Sequence, residues 1–140
     1  MTHADAGLAM RVLALDYGSA RCGCAVSDPT GVLATPLEPV LAPDGRRGMG
    51  KLLALVRDLE VERVVIGLPL RLDGGDSEQT REARRFAQTL GRRLAGVPVE
   101  LYDERFTTLL AQRDGGSRAS EDSRAAAHLL SGWLERHADA

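Results

Sequence analysis

Arg11-Val12-Leu13-Ala14-Leu15-Asp16-Tyr17-Gly18-Ser19 runs through four apolar residues and stops at an acid followed by a turn. An apolar run this short, bounded by turn residues, predicts a buried strand over Arg11 to Leu15 that delivers Asp16 to its end. Working outward, Cys22 to Ser27 is a second strand, and Asp28-Pro29-Thr30-Gly31 is a turn into a short third strand over Val32 to Ala34. Three successive strands with short links predict an antiparallel meander. The prolines at 36, 39 and 43 and the glycines at 45 and 48 predict a loop between Leu37 and Gly48. Upstream, residues 1–9 are polar and patternless, which predicts a flexible N-terminus before a single domain over residues 10–137.

Downstream the period changes. Met49, Leu52, Leu53, Val56 and Leu59 fall at helical spacing and predict a one-faced helix leading into a buried strand, Arg63 to Ile66, which Gly67-Leu68-Pro69 ends. Asp76 with Gln79 has the spacing of a capping box for a helix whose stripe is Ala83, Phe86, Ala87, Leu90 and Leu94. Val97, Val99 and Leu101 alternate with Glu100 and Tyr102, predicting a strand with one core face and one more polar face. Phe106 to Gln112 has the pattern of a short helix. Ser120 is the expected N-cap of a last helix carrying Ala126, Leu129, Leu130, Trp133 and Leu134 on one stripe. The sum is an α/β domain: a meander plus two further strands in a mixed sheet flanked by helices.

With 140 residues, 44% hydrophobic and 27% charged, the chain can bury a core without disulfides or structural metal. Cys22 and Cys24, one residue apart on a strand, are expected as reduced core residues, since bridging them would close a strained ring. No apolar stretch approaches the ~20 residues that span a bilayer, and the first ten residues lack a basic segment followed by an apolar one. The expectation is a cytoplasmic protein without membrane contact. A net charge of −2 does not announce a nucleic-acid binder, although bound cations would make an acidic site more attractive to phosphate than the count suggests.

Three acidic positions stand at element ends: Asp16, the Asp103-Glu104 pair, and Asp122 in the first turn of the last helix. Strand and helix ends are where α/β sheets place their sites. Asp122 lies four residues before Ala126 and seven before Leu129, hence on the stripe that faces the sheet. A buried carboxylate must be neutralised or find a cation, and hard oxygen donors without paired His or Cys favour Mg²⁺ or Mn²⁺. Neighbouring strand residues face opposite ways. Extending the alternation puts Asp103 with Val97, Val99 and Leu101 and puts Glu104 with Tyr102, so Glu104 is the expected partner of Asp16. Taken singly, Asp122 could complement its helix dipole, Asp103-Glu104-Arg105 could be a solvated ion-pair cluster, and Asp16 could be an ordinary turn residue.

Arg11 to Ser19 with Gly23-Cys-Ala-Val-Ser-Asp28, then Val65-Ile-Gly67-Leu-Pro69-Leu, Asp73-Gly74 and Asp103-Glu-Arg-Phe-Thr-Thr108, resembles the YqgF family, also called RuvX, from about Met10 to Leu134. The resemblance implies a ribonuclease H-like fold related to Holliday junction resolvases, and a nuclease maturing the 5′ end of the small-subunit (16S) ribosomal RNA precursor. It further implies Asp16, Glu104 and Asp122 as catalytic and metal-binding acids, Asp122 preceding the pair Ala125-Ala126. Where many members carry Thr-Lys-Arg this chain has Ser19-Ala20-Arg21, and Arg71 replaces an Asn. These departures bear on substrate grip rather than on chemistry.

The expected reaction is phosphodiester hydrolysis, with Asp16 bridging two metal ions and Glu104 and Asp122 completing their shells. Arg21, Arg71, Arg105, Arg118 and Arg124 are candidates to hold phosphate, because a guanidinium can bind it bidentately. The expected partner is nucleic acid, RNA ahead of branched DNA, with the protein a monomer or homodimer. Three other readings stay open: a junction resolvase acting on DNA, a noncatalytic RNA-binding module in ribosome assembly, and a nucleotide-binding fragment of the actin and sugar-kinase type, whose first phosphate loop Leu15 to Ser19 also resembles.

Overall fold

The computed structural model describes residues 10–106 and 118–137, with the side chains of residues 106 and 118–122 outside the description. The expected flexibility of residues 1–9, and most of the expected helix from Phe106 to Gln112, therefore fall outside the described residues. Five strands form one sheet: β1 (Val12–Asp16), β2 (Arg21–Ser27), β3 (Ala34–Leu41), β4 (Arg63–Leu68) and β5 (Val99–Asp103), in the order β3-β2-β1-β4-β5. β1, β2 and β3 pair antiparallel, while β1, β4 and β5 run parallel. The helices are α1 (Arg46–Asp58), α2 (Glu78–Arg93) and α3 (Arg118–His137), and a 3₁₀ turn over Glu104–Phe106 follows β5.

The sheet is covered on both faces, which is why β1 reads as a continuous apolar run rather than an alternating one. Leu13 and Leu15, with Val64 and Ile66 of β4, pack against Met49, Leu52 and Val56 of α1 and Phe86 and Leu90 of α2. Val12, Ala14 and Val65 point the other way, onto Ala126, Leu129, Leu130 and Trp133 of α3. Cys22 and Cys24 are free thiols buried in the first of these clusters, as expected.

Three expectations need correction. β3 is eight residues long and includes Pro36 and Pro39, which had predicted a loop. It is an edge strand, and its register slips opposite Cys22 to Cys24, the bulge that takes up Glu38 and Pro39. Edges and bulges are where a strand tolerates residues lacking an N–H. The cap of α2 is Ser77 rather than Asp76: the Thr80 N–H donates to Ser77 Oγ at 3.2 Å, and the Ser77 N–H donates to Thr80 Oγ1 at 3.0 Å. Asp76 instead pairs with Arg84. The more polar face of β5, carrying Glu100 and Tyr102 as expected, is covered by α3. Glu100 on that face accepts from Trp133 Nε1 at 2.9 Å and from Arg63 at 2.8 Å. Third, α3 begins at Arg118, two residues before the expected cap Ser120.

Candidate active site

The three parallel strands end side by side. Leu15 of β1 pairs with Ile66 of β4, and Gly67 of β4 pairs with Tyr102 of β5, so Asp16, Gly67 and Tyr102 form one row across the sheet. Alternation from Val12 and Ala14, from Val65 and from Tyr102 puts Asp16, Gly67 and Glu104 on the face that α3 covers. Asp103 faces the other way, its carboxylate accepting from the Arg105 backbone N–H at 2.9 Å and its guanidinium at 2.7 Å. Of the two neighbouring acids, Glu104 is the one brought to Asp16.

Their carboxyls are hydrogen-bonded to each other. Burial pushes the Glu104 carboxyl up from 4.5 to about 7, helped by the charge of Asp16, the shared hydrogen bond and Asp103. Burial also raises Asp16, while the hydrogen bond from Glu104 works the other way and favours its ionised form. Burial and mutual repulsion thus favour keeping a proton on the pair, with the Glu104 carboxyl raised to about 7 and Asp16 raised as well. Two hard oxygen donors kept together at that electrostatic cost fit a divalent cation, which would replace the proton and satisfy both charges. Among the described residues no group of three or more His, Cys, Asp or Glu side chains gathers at a point.

The third expected acid, Asp122, has its side chain outside the described residues, but the helix that carries it is placed by its neighbour. Ser123 is fully buried, and its Oγ accepts from the Cys24 N–H at 3.0 Å. Cys24 pairs with Leu15, one step from Asp16, so residue 122 lies at the same end of the sheet as Asp16. Sequence reasoning missed Ser123. A polar residue three and seven positions before Ala126 and Leu130 on the apolar stripe was the available signal.

The expected phosphate-binding arginines divide. Arg71 pairs with Asp73 at 2.6 Å and Arg105 with Asp103 at 2.7 Å. Asp73 is held below the usual carboxylate range first by the Gly75 N–H, then by Arg71, and also by the charge of Arg105, so both arginines border one loop beside the β5 end. Arg21 is exposed at the start of β2 and Arg124 half-buried on α3, one residue beyond Ser123. The Arg118 side chain lies outside the described residues.

Comparison with known proteins bears on this arrangement. Two curated relatives, each named "Putative pre-16S rRNA nuclease", come from Anaeromyxobacter sp. and Mycobacteroides abscessus. The first is 43% identical, covering 92% of this chain and 100% of the relative. The second is 42% identical, covering 90% and 81%. Among solved structures, RuvC of T. thermophilus in complex with a Holliday junction substrate superposes with a TM-score of 0.59 at 17% identity, over 94% of this chain and 98% of that one. That likeness fixes the fold as the ribonuclease H-like one expected. The RuvX family model, described as Holliday junction resolvase, matches residues 10–136, and the chain belongs to that family.

Proposed function

We infer that this protein is a nuclease that hydrolyses phosphodiester bonds with the help of divalent metal, and that its substrate is the 5′ region of the 16S ribosomal RNA precursor. The observation that carries the chemistry is the Asp16–Glu104 pair of interacting carboxyls at the convergent ends of β1 and β5, both raised by burial and Glu104 to about 7. The name shared by the relatives carries the substrate.

Asp16, Glu104 and Asp122 would hold the metal, Mg²⁺ or Mn²⁺ by the hardness of the donors, in a two-ion site. When bound, such ions stabilise charge on the phosphate and make an attacking water more acidic. The chain's own residues do the rest. Asp16 and Glu104 would be ionised in the loaded site, and Arg21, Arg71, Arg105, Arg118 and Arg124 would orient the phosphates. Arg71 and Arg105 turn from their aspartate partners to do so, since a phosphate offers a guanidinium the same bidentate geometry. No described helix is long and apolar enough to cross a membrane, and we place the protein in the cytoplasm with the ribosomal precursor.

A second reading, resolution of branched DNA, rests on the description of the family model. One experiment separates the two: the purified protein incubated with precursor-like single-stranded RNA, duplex DNA and a four-way junction, each with Mg²⁺, Mn²⁺, Ca²⁺ or excess chelator. Cleavage of RNA with Mg²⁺ or Mn²⁺, absent with chelator, is expected. Faster junction cleavage at matched salt would transfer the assignment to DNA, and binding without cleavage under every condition would make the protein a noncatalytic assembly module.

A further inference from the structure

Gly67 sits in β4 between Asp16 and Tyr102 in the row of strand ends. A Cβ at this position would meet Glu104 Oε2 at 2.6 Å, Cγ at 3.1 Å and Cδ at 3.3 Å. The first of these is closer than real Cβ atoms come to anything, and all three belong to one side chain. Gly67 is absent from the residues with positive φ, which among the described glycines are Gly31, Gly74 and Gly96. Its backbone is therefore one that alanine adopts without strain, and a glycine inside a strand is otherwise unfavourable.

We propose that Gly67 is a positioning residue: the space left by its missing side chain is the slot in which the Glu104 side chain lies, and that slot aims the Glu104 carboxyl at Asp16. The proposal rests on the nuclease reading only in giving the carboxyl a catalytic purpose. The slot explains why a glutamate serves at this strand end. Glu104 leaves the sheet at the first residue of the 3₁₀ turn, and its side chain reaches back over β4 to Asp16 across the one position that offers no Cβ. A shorter side chain at 104 would leave room for a methyl group at 67.

The test is a double-mutant cycle on the full chain, with G67A, E104A, E104D and the doubles G67A/E104A and G67A/E104D. Thermal unfolding in metal-free buffer, Mn²⁺ binding by calorimetry and Mn²⁺-dependent RNA cleavage are measured for each. G67A is expected to weaken Mn²⁺ binding by at least about 10-fold and to slow cleavage in proportion. It should lower the melting temperature in the parent background yet leave it level or raise it beside E104A, because the atoms it strikes are then gone. G67A/E104D should cleave faster than G67A alone. An equal melting shift from G67A in both backgrounds, or Mn²⁺ affinity unchanged by G67A, overturns the proposal. If G67A is too unstable to assay for activity, the comparison of E104A with G67A/E104A still decides it. Full activity of E104A would instead remove Glu104 from the nuclease site and leave the steric cycle to report on the slot by itself.

Discussion

The raised carboxyl of Glu104 makes the metal-free protein sensitive to pH in a direction opposite to that of most carboxylates. The folded Glu104 titrates at about 7 and its ordinary value is 4.5, so between these limits the native state holds a proton that the unfolded chain has released. Stability from this group is full below about 4.5 and is lost as pH rises through about 7. The melting temperature of metal-free protein should therefore fall across that window, and E104Q, which cannot ionise, should flatten the fall. Saturating Mg²⁺ at pH 7.5 should restore what is lost, by binding the folded state alone. The same residues separate two neighbours by activity. D16N and E104Q should each cut Mg²⁺-dependent cleavage by at least about 100-fold while staying folded, since each removes a ligand charge and keeps the shape. D103N should keep most of it, because Asp103 holds Arg105 and lies on the other face; an inactive, folded D103N beside an active E104Q would reverse the assignment. The preference for Glu104 was legible in the sequence because alternation along Val99, Leu101 and Asp103 needs only the period of a strand. Gly67 was not, since a glycine's importance for space depends on which side chain folds over it.

At the scale of elements, side-chain hydrogen bonds of different chemistry help anchor α3 to the sheet. Ser123 accepts from the Cys24 N–H near the site, and Trp133 donates to Glu100 farther along. S123A leaves a buried backbone donor without its acceptor, a loss of about 1–3 kcal/mol. It should lower the melting temperature and, by loosening the turn that carries Asp122, weaken Mn²⁺ binding too; a Mn²⁺ affinity equal to the parent's would show that α3 is placed by its apolar stripe alone. The cap of α2 offers a simpler comparison. S77A should cost about 1 kcal/mol in chemical denaturation, whereas D76A should unfold close to the parent. The sequence points to Asp76 because Gln79 supplies the usual capping-box partner, whereas Thr80 is not one; the backbone turn after Gly75 puts the Ser77 hydroxyl at the helix end instead. The extent of β3 beyond the expected Val32 to Ala34 was missed for a related reason. Proline argues against a strand only where both ladders are needed, and whether a strand lies at an edge is a property of the assembled sheet.

Over the whole molecule, the order of strands and helices could be read directly, since each layer buries one periodic stripe and the connections are short. What assembles at the strand ends could be read only in part: Asp16 and Glu104 meet, whereas the grouping of arginines depends on loops without period. With a net charge of −2, the protein has to concentrate its positive charge locally to hold nucleic acid. Affinity for single-stranded RNA should fall linearly on logarithmic axes as salt rises, and R71A or R105A should each reduce that slope by roughly 0.7–1 if each guanidinium meets one phosphate. An unchanged slope in both would take them out of the binding surface. The other side of the sheet carries a different consequence. A bare edge strand is a template on which further chains can add and from which fibrils are seeded. Pro36 and Pro39 remove two hydrogen-bond donors from β3, and the bulge beside Pro39 breaks its rhythm, so this strand is a poor template for an incoming chain.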